Sequence, residues 1–97
     1  MDKNELKLKI AQETYYIRRM LESCKTLEQA KNANRLACSL VYKWFWYKRH
    51  FGLSDSFDID KLIVAAADDM TSFYNEAKDL ISKRQTKHSV IPTGYRD

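Results

Sequence analysis

Residues 26–52 read TLEQAKNANRLACSLVYKWFWYKRHFG, and this stretch decides the fold because it begins with a helix cap and ends with a helix terminator. Thr26 and Gln29 fit a capping box, in which the threonine oxygen accepts a hydrogen bond from the backbone three residues on. Gly52 suits the left-handed position that ends a helix, and the basic residues of the last turn suit its negative end. The stretch therefore predicts a helix of about 25 residues, roughly 37 Å long at 1.5 Å per residue.

Apolar residues at three- and four-residue steps predict one helix on each side of this one. The first runs from about Lys3 to Ser23, and the third, capped by Asp58 or Ser56, ends near Arg84. The stripes comprise Leu6, Ile10, Ile17, Leu21 and Cys24 in the first helix, and Ile59, Leu62, Ile63, Ala66, Met70, Phe73, Ala77, Leu80 and Ile81 in the third. Short connections favour antiparallel neighbours. The predicted fold is all-α, a three-helix antiparallel arrangement with a long central helix and a flexible C-terminal tail.

Composition indicates one globular domain. The chain has 97 residues, of which 44% are hydrophobic and 31% charged, values that are ordinary for a packed domain and unlike a disordered chain. We expect residues 1–85 to form a single helical domain and residues 86–97 to form the tail. Neither a run of about 18 apolar residues nor a signal-like start is present, so we expect a cytoplasmic protein with reduced thiols and no membrane partner.

Charge is unevenly distributed along the chain. Residues 1–52 carry a net charge of +6 and residues 53–97 a net charge of −2, which gives the formal total of +4. The basic half can attract the acidic half within one molecule or between two copies, or it can face a polyanion. Charge alone does not separate these three possibilities.

The aromatic run Val41–Phe51 carries six of the twelve aromatic residues, more than one helix face can hold. Steps of about 100° per residue divide the central helix into two faces. The expected core face comprises Ala30, Ala33, Ala37, Leu40, Val41, Trp44 and Phe51, with Tyr47 at its edge. The opposite face comprises Arg35, Cys38, Tyr42, Phe45, Trp46 and Arg49.

Three uses of this second face stay open. The central helix can be sandwiched between the first and third helices, with its polar ring atoms at the rim. The face can instead bind protein, because Trp, Tyr and Arg dominate interface hot spots. It can also bind nucleic acid or a nucleotide, with rings stacking on bases and cations contacting phosphates. The cations for that last use are Arg18, Arg19, Arg35, Lys43 and Arg49.

The first helix repeats the combination of ring and cation at Tyr15, Arg18 and Arg19. These three residues either extend the second face of the central helix or mark a boundary between core and solvent.

Residues for catalysis or metal binding are poorly placed in this sequence. Cys24, Cys38, His50 and His88 lack the close spacing of zinc ligands. Cys38 and His50 are separated by about 18 Å along one helix, too far for a nucleophile and its base. Two glycines cannot make a phosphate-binding loop. We therefore expect no enzyme activity, no cofactor and no metal.

The connection Ser23-Cys24-Lys25-Thr26-Leu27-Glu28-Gln29-Ala30, which joins one amphipathic helix to another that ends in aromatics, resembles small uncharacterised helical proteins of tailed bacteriophages. The resemblance covers about the first half of the chain and implies no catalytic residues. It implies a small protein in the cytoplasm of a bacterial host that binds a host, defence or phage protein. The leading hypothesis is therefore a non-enzymatic interaction module that also forms a homo-oligomer. The alternatives are a nucleic-acid or nucleotide-binding module that uses the same face, and a structural subunit of a larger assembly.

Overall fold

The computed structural model describes the backbone of residues 1–53 and 55–94 and the side chains of residues 1–53 and 55–84. It contains α1 (Lys3–Glu22), α2 (Leu27–His50) and α3 (Phe57–Gly94). Lys3 Nζ lies 2.9 Å from Asp58 Oδ2, which joins the starts of α1 and α3. Lys48 contacts Asp60, which joins the end of α2 to the start of α3. The predicted three-helix antiparallel arrangement is confirmed, with α2 running opposite to α1 and α3.

Capping fixes both ends of α2. The amide of Gln29 donates to Thr26 Oγ1 at 3.1 Å, as the capping box predicts. The reciprocal bond is shifted by one residue, since the amide of Lys25, rather than that of Thr26, donates to Gln29 Oε1 at 2.7 Å. At the other end Gly52 has φ +70°. The amides of Gly52 and Leu53 donate to the carbonyls of Arg49 and Lys48 at 3.3 and 2.8 Å, which is a Schellman motif.

The third helix is longer than predicted. α2 has 24 residues, close to the predicted 25, whereas α3 has 38 residues and runs beyond the predicted end near Arg84. No Gly or Pro occurs between Arg84 and Pro92, so nothing in this segment strongly opposes helix continuation. Residues 95–97 of the predicted tail lie outside the described residues, and the flexibility of residues 86–97 stays a prediction.

The core lies where the three helices meet, and small residues of α2 allow this close approach. Ala30, Ala33 and Ala37 are all buried, and no charged or polar residue is buried with them among the described side chains. The remaining buried core residues are Leu6, Ile10, Ile17, Leu21, Cys24, Leu40, Trp44, Ile59, Ile63, Ala66, Met70, Ala77 and Ile81. Because both neighbours pack on this alanine face of α2, its opposite face is left uncovered. Within the described ranges, no helix combines the length and the hydropathy that a membrane crossing requires.

Candidate functional site

Trp44 anchors α2 in the core from the face opposite the candidate site. Its side chain is 0% exposed, in agreement with the predicted core face. The indole N–H donates to Glu13 Oε1 of α1 at 2.7 Å. Lys9 Nζ lies 3.8 Å from the same carboxylate oxygen. The burial of Trp44 and its hydrogen bond to Glu13 therefore fix which side of α2 points inward.

The outer face of α2, defined as Arg35, Tyr42, Phe45, Trp46 and Arg49, is open to solvent. Tyr42 is 77% exposed, Trp46 53% and Phe45 38%, and both arginines are exposed. The alternative in which α2 is sandwiched between the other two helices is therefore wrong for the single chain. Since water is a poor environment for ring surface, this face has the composition of a surface that binds another molecule.

Stacking orders the rings at the C-terminal end of the outer face. Trp46 and His50 are stacked, with centroids 4.5 Å apart and planes 11° from parallel. Trp46 and Tyr47 are in a T-shaped arrangement, with ring centroids 5.5 Å apart and planes at 69°. Lys43 lies over the Tyr47 ring at 5.7 Å. His50 is therefore a contributor to the site that the sequence reasoning did not include, and its four-residue spacing from Trp46 was the available signal.

Phe51 does not occupy the core position that the helical wheel predicts. It is 39% exposed. Phe51 is the C-cap residue, with φ −97° and ψ +17°, which are not helical values. Its side chain therefore does not point in the direction that a regular helix would give it. The ring packs edge-on against His50 at 4.9 Å and so widens the aromatic cluster at the end of α2.

Positive charge on the outer face is not neutralised by the described part of the chain. Residues 29–53 contain five Lys and Arg residues and no Asp or Glu. Lys48 pairs with Asp60. Arg35, Lys43 and Arg49 form no ion pair with any described carboxylate. The outer face and the adjacent Lys43 therefore combine exposed rings with cations that form no ion pair in the described structure, and this composition favours an acidic ligand.

The three candidates on α1 do not join the outer face of α2. Arg18 lies over the Phe73 ring of α3 at 5.4 Å and lines a cleft of about 200 Å³ between α1 and α3. In a three-helix bundle, the cleft between α1 and α3 lies on the opposite side of the bundle from α2. Tyr15 and Arg19 are exposed and point about 160° away from the buried stripe of α1. They lie on the outer side of α1, so the prediction that these three residues extend the outer face is not supported by their positions.

The two thiols lie in different environments. Cys24 is buried and donates a weak hydrogen bond to the carbonyl of Met20 at 3.2 Å. Burial raises the pKa of the Cys24 thiol, which makes its thiolate scarce at neutral pH. Cys38 is exposed on the same side of α2 as Tyr42. Among the described residues, no group of three or more His, Cys, Asp and Glu side chains is arranged to hold a metal ion.

Comparison with protein-family models, with curated proteins and with solved structures finds no match to this chain.

Proposed function

We propose that this protein is a small non-enzymatic interaction module that binds an acidic protein surface through the outer face of α2. The observation that carries the proposal is the contrast between two neighbouring tryptophans. Trp44 is fully buried in the core, whereas Trp46, two residues later, is 53% exposed and is not among the core residues. A second large ring that the fold does not need is available for binding.

The composition of the face supports a protein partner. Trp, Tyr and Arg are the residue types that contribute most to protein interfaces, and Arg35, Tyr42, Trp46 and Arg49 lie along one side of one helix. Arg35 and Arg49 are separated by about 21 Å along the helix axis, so both fit within one standard interface patch of about 800 Å² per partner. The stack of Trp46 on His50 holds the central ring in place, so that little side-chain entropy is lost on binding.

The proposed setting is the cytoplasm of a bacterial host, with the chain encoded by a phage and its target a host, defence or phage protein. The resemblance of the connection between α1 and α2 to small phage proteins supports this setting. The same exposed rings on a small core support self-association as a homo-oligomer. The alternative of a structural subunit in a larger assembly differs from the interaction module in one respect: the outer face of α2 would be covered in every copy.

The test is affinity capture from a bacterial lysate, followed by titration of the purified captured protein. Trp46→Ala and Arg49→Ala are expected to weaken the purified interaction by about 10-fold or more each, as for hot-spot residues. Tyr15→Ala is the matched control, since Tyr15 is 59% exposed but lies on the outer side of α1. A partner that binds all four proteins equally would refute the assignment of the face.

Nucleic acid is a second candidate ligand because residues 29–53 lack acidic residues altogether. The exposed rings argue against nucleic acid, because one face of Trp46 is already covered by His50 and Phe45 is only 38% exposed. Successive bases need free ring faces on which to stack. If this candidate is right, single- or double-stranded DNA or RNA is retarded in a gel at low salt, and the affinity falls steeply as salt rises. Lack of retardation at low salt would eliminate it.

A further inference from the structure

The third helix extends beyond the ends of the other two. α1 has 20 residues and α2 has 24, whereas α3 has 38. The ion pairs that join α3 to α1 and to α2 fix the level of each helix. They place the end of α1 and the start of α2 level with residues 77–81 of α3. Neither helix reaches residues 82–94, which we call the α3 extension, and the molecule is accordingly 66 Å long although α2 spans only about 36 Å.

The α3 extension is about 20 Å of helix that neither α1 nor α2 covers. Helices in proteins gain most of their stability by packing a face against a neighbour, and short helices without one are marginal in water. Because the other two helices of the chain end below this level, a neighbour for the extension has to come from another molecule.

The cleft between α1 and α3 opens beside the base of the α3 extension. Its volume is about 200 Å³. Leu21, Ala77 and Ile81 form an apolar floor, since all three line the cleft and are at most 8% exposed. Leu80 also lines the cleft and is 54% exposed. A helix that lies along the cleft would cover Leu80 and close the apolar floor.

Charge along α3 changes sign at the level of this cleft. Residues 68–79 contain four acidic residues, all exposed, and a single Lys. That residue, Lys78, follows Asp60 by five full helical turns, so it lies on the side of α3 that faces α2. The α3 extension contains three basic residues and no acidic one. The uncovered helix and the segment before it are therefore opposite in charge.

We propose that the α3 extension of a second copy binds in the cleft, in a symmetric antiparallel dimer where each extension lies in the cleft of the other copy. Antiparallel pairing sets the acidic segment of one α3 against the basic extension of the other, whereas parallel pairing sets like charges together. A two-fold axis perpendicular to the helices repeats each contact. The cleft and the outer face of α2 lie on opposite sides of the bundle, so this inference does not rest on the proposed function.

The helical register favours an axis close to the exposed Leu80. With the axis there, Arg84 of one copy is level with Glu76 of the other. Lys83 is within about 1.5 Å of the level of Glu76, and Lys87 is within about 6 Å of the level of Asp69. Glu76 and Asp69 form no ion pair with a described basic residue of their own chain, so both are available.

The α1 side of the cleft does not cancel this attraction. Arg18 and Glu22 pair with each other at 3.7 Å and contribute no net charge. Arg19 and Lys25 are the other cations of α1 and its connection near this level. If both are counted against the four acidic residues of α3, the cleft retains a net charge of −2 toward an extension of charge +3. Complementarity therefore selects the extension of a second copy as the occupant.

Sedimentation velocity of the purified full chain over a range of concentrations tests the pairing through charge reversal. E76R and R84E should each raise the monomer–dimer midpoint by about 10-fold or more, because each creates two like-charge contacts. An equal mixture of E76R and R84E should restore dimerisation, since one contact then pairs the two reversed residues and the other pairs two native ones.

Matched controls make the same changes of charge at exposed positions away from the cleft. D55R lies before the start of α3, at the other end of the bundle, and R35E lies on the outer face of α2. Both should leave the midpoint unchanged. Circular dichroism checks that each variant stays helical.

Four results would overturn the proposal. A wild-type chain that stays monomeric at high micromolar concentration shows that the extension does not bind a second copy. A dimer that E76R and R84E leave unchanged, or two weakened variants whose mixture does not dimerise, excludes the antiparallel pairing. A dimer that R35E weakens and R84E does not places the contact on the outer face of α2. None of these results affects a foreign protein whose binding depends on Trp46.

Discussion

Replacing Trp44 by alanine is expected to destabilise the fold far more than the same change at Trp46, two residues away. Trp44 is 0% exposed. Burying about 200 Å² of ring at about 25 cal/mol/Å² contributes about 5 kcal/mol, an upper value because the unfolded chain buries part of its surface. Removal of the indole also removes the 2.7 Å hydrogen bond that its N–H donates to Glu13 Oε1. The Glu13 side chain is 21% exposed, so its carboxylate can accept a hydrogen bond from water instead. We expect a loss of about 4 kcal/mol in unfolding free energy.

Trp46→Ala should cost about 1 kcal/mol. Its ring is 53% exposed, and its ring contacts are with His50 and Tyr47 of its own helix. The two variants therefore differ by about 3 kcal/mol. With a urea dependence of about 1–3 kcal/mol per M, the unfolding midpoints should be separated by roughly 1–3 M.

Urea unfolding followed by fluorescence measures this difference, since each variant keeps one tryptophan. The Trp46→Ala protein retains the buried ring, so its native emission should be blue-shifted relative to that of Trp44→Ala. Measurements at several protein concentrations separate folding from association, because only the dimer contribution changes with concentration. Equal losses for the two variants, independent of concentration, would refute the assignment of an inner and an outer face to α2.

The remaining predictions concern the cap, one ion pair and the thiols. Thr26→Ala should lower unfolding free energy by about 1 kcal/mol in urea titrations, and Thr26→Ser should restore most of it; no loss would mean that the α2 cap contributes nothing. A hydrogen bond from Lys3 and then its charge lower the pKa of Asp58. The resulting stabilisation is present above the unfolded pKa of about 4 and lost as pH falls through the lower folded pKa. Lys3→Met should raise the Asp58 pKa in an NMR titration; an unmoved pKa contradicts the pairing. A disulfide reagent should modify Cys38 rapidly and Cys24 slowly, because Cys24 is buried and its pKa is raised; equal rates would contradict this burial.

The helix ends could be predicted from sequence because capping is local. The Thr26 cap and the left-handed Gly52 each involve atoms only a few residues apart, so the residue types alone specify them. Periodicity likewise sorted Trp44 from Trp46, since their directions differ by about 200° on any helix. Phe51 is the exception, because a helical wheel assumes regular helix at every position and Phe51 lies where α2 ends.

Tertiary packing decided which surfaces stay exposed. The sequence left open whether the second face of α2 is covered, because periodicity does not state how many neighbours a helix has. Both neighbours approach the alanine face, so Tyr42 and Trp46 remain exposed. The same packing turned Arg18 toward Phe73 of α3 and away from α2. Residue types and their spacing thus determined the helices and their two-sided character. Which faces meet depends on contacts between residues far apart in the chain, and only the packed structure decides it.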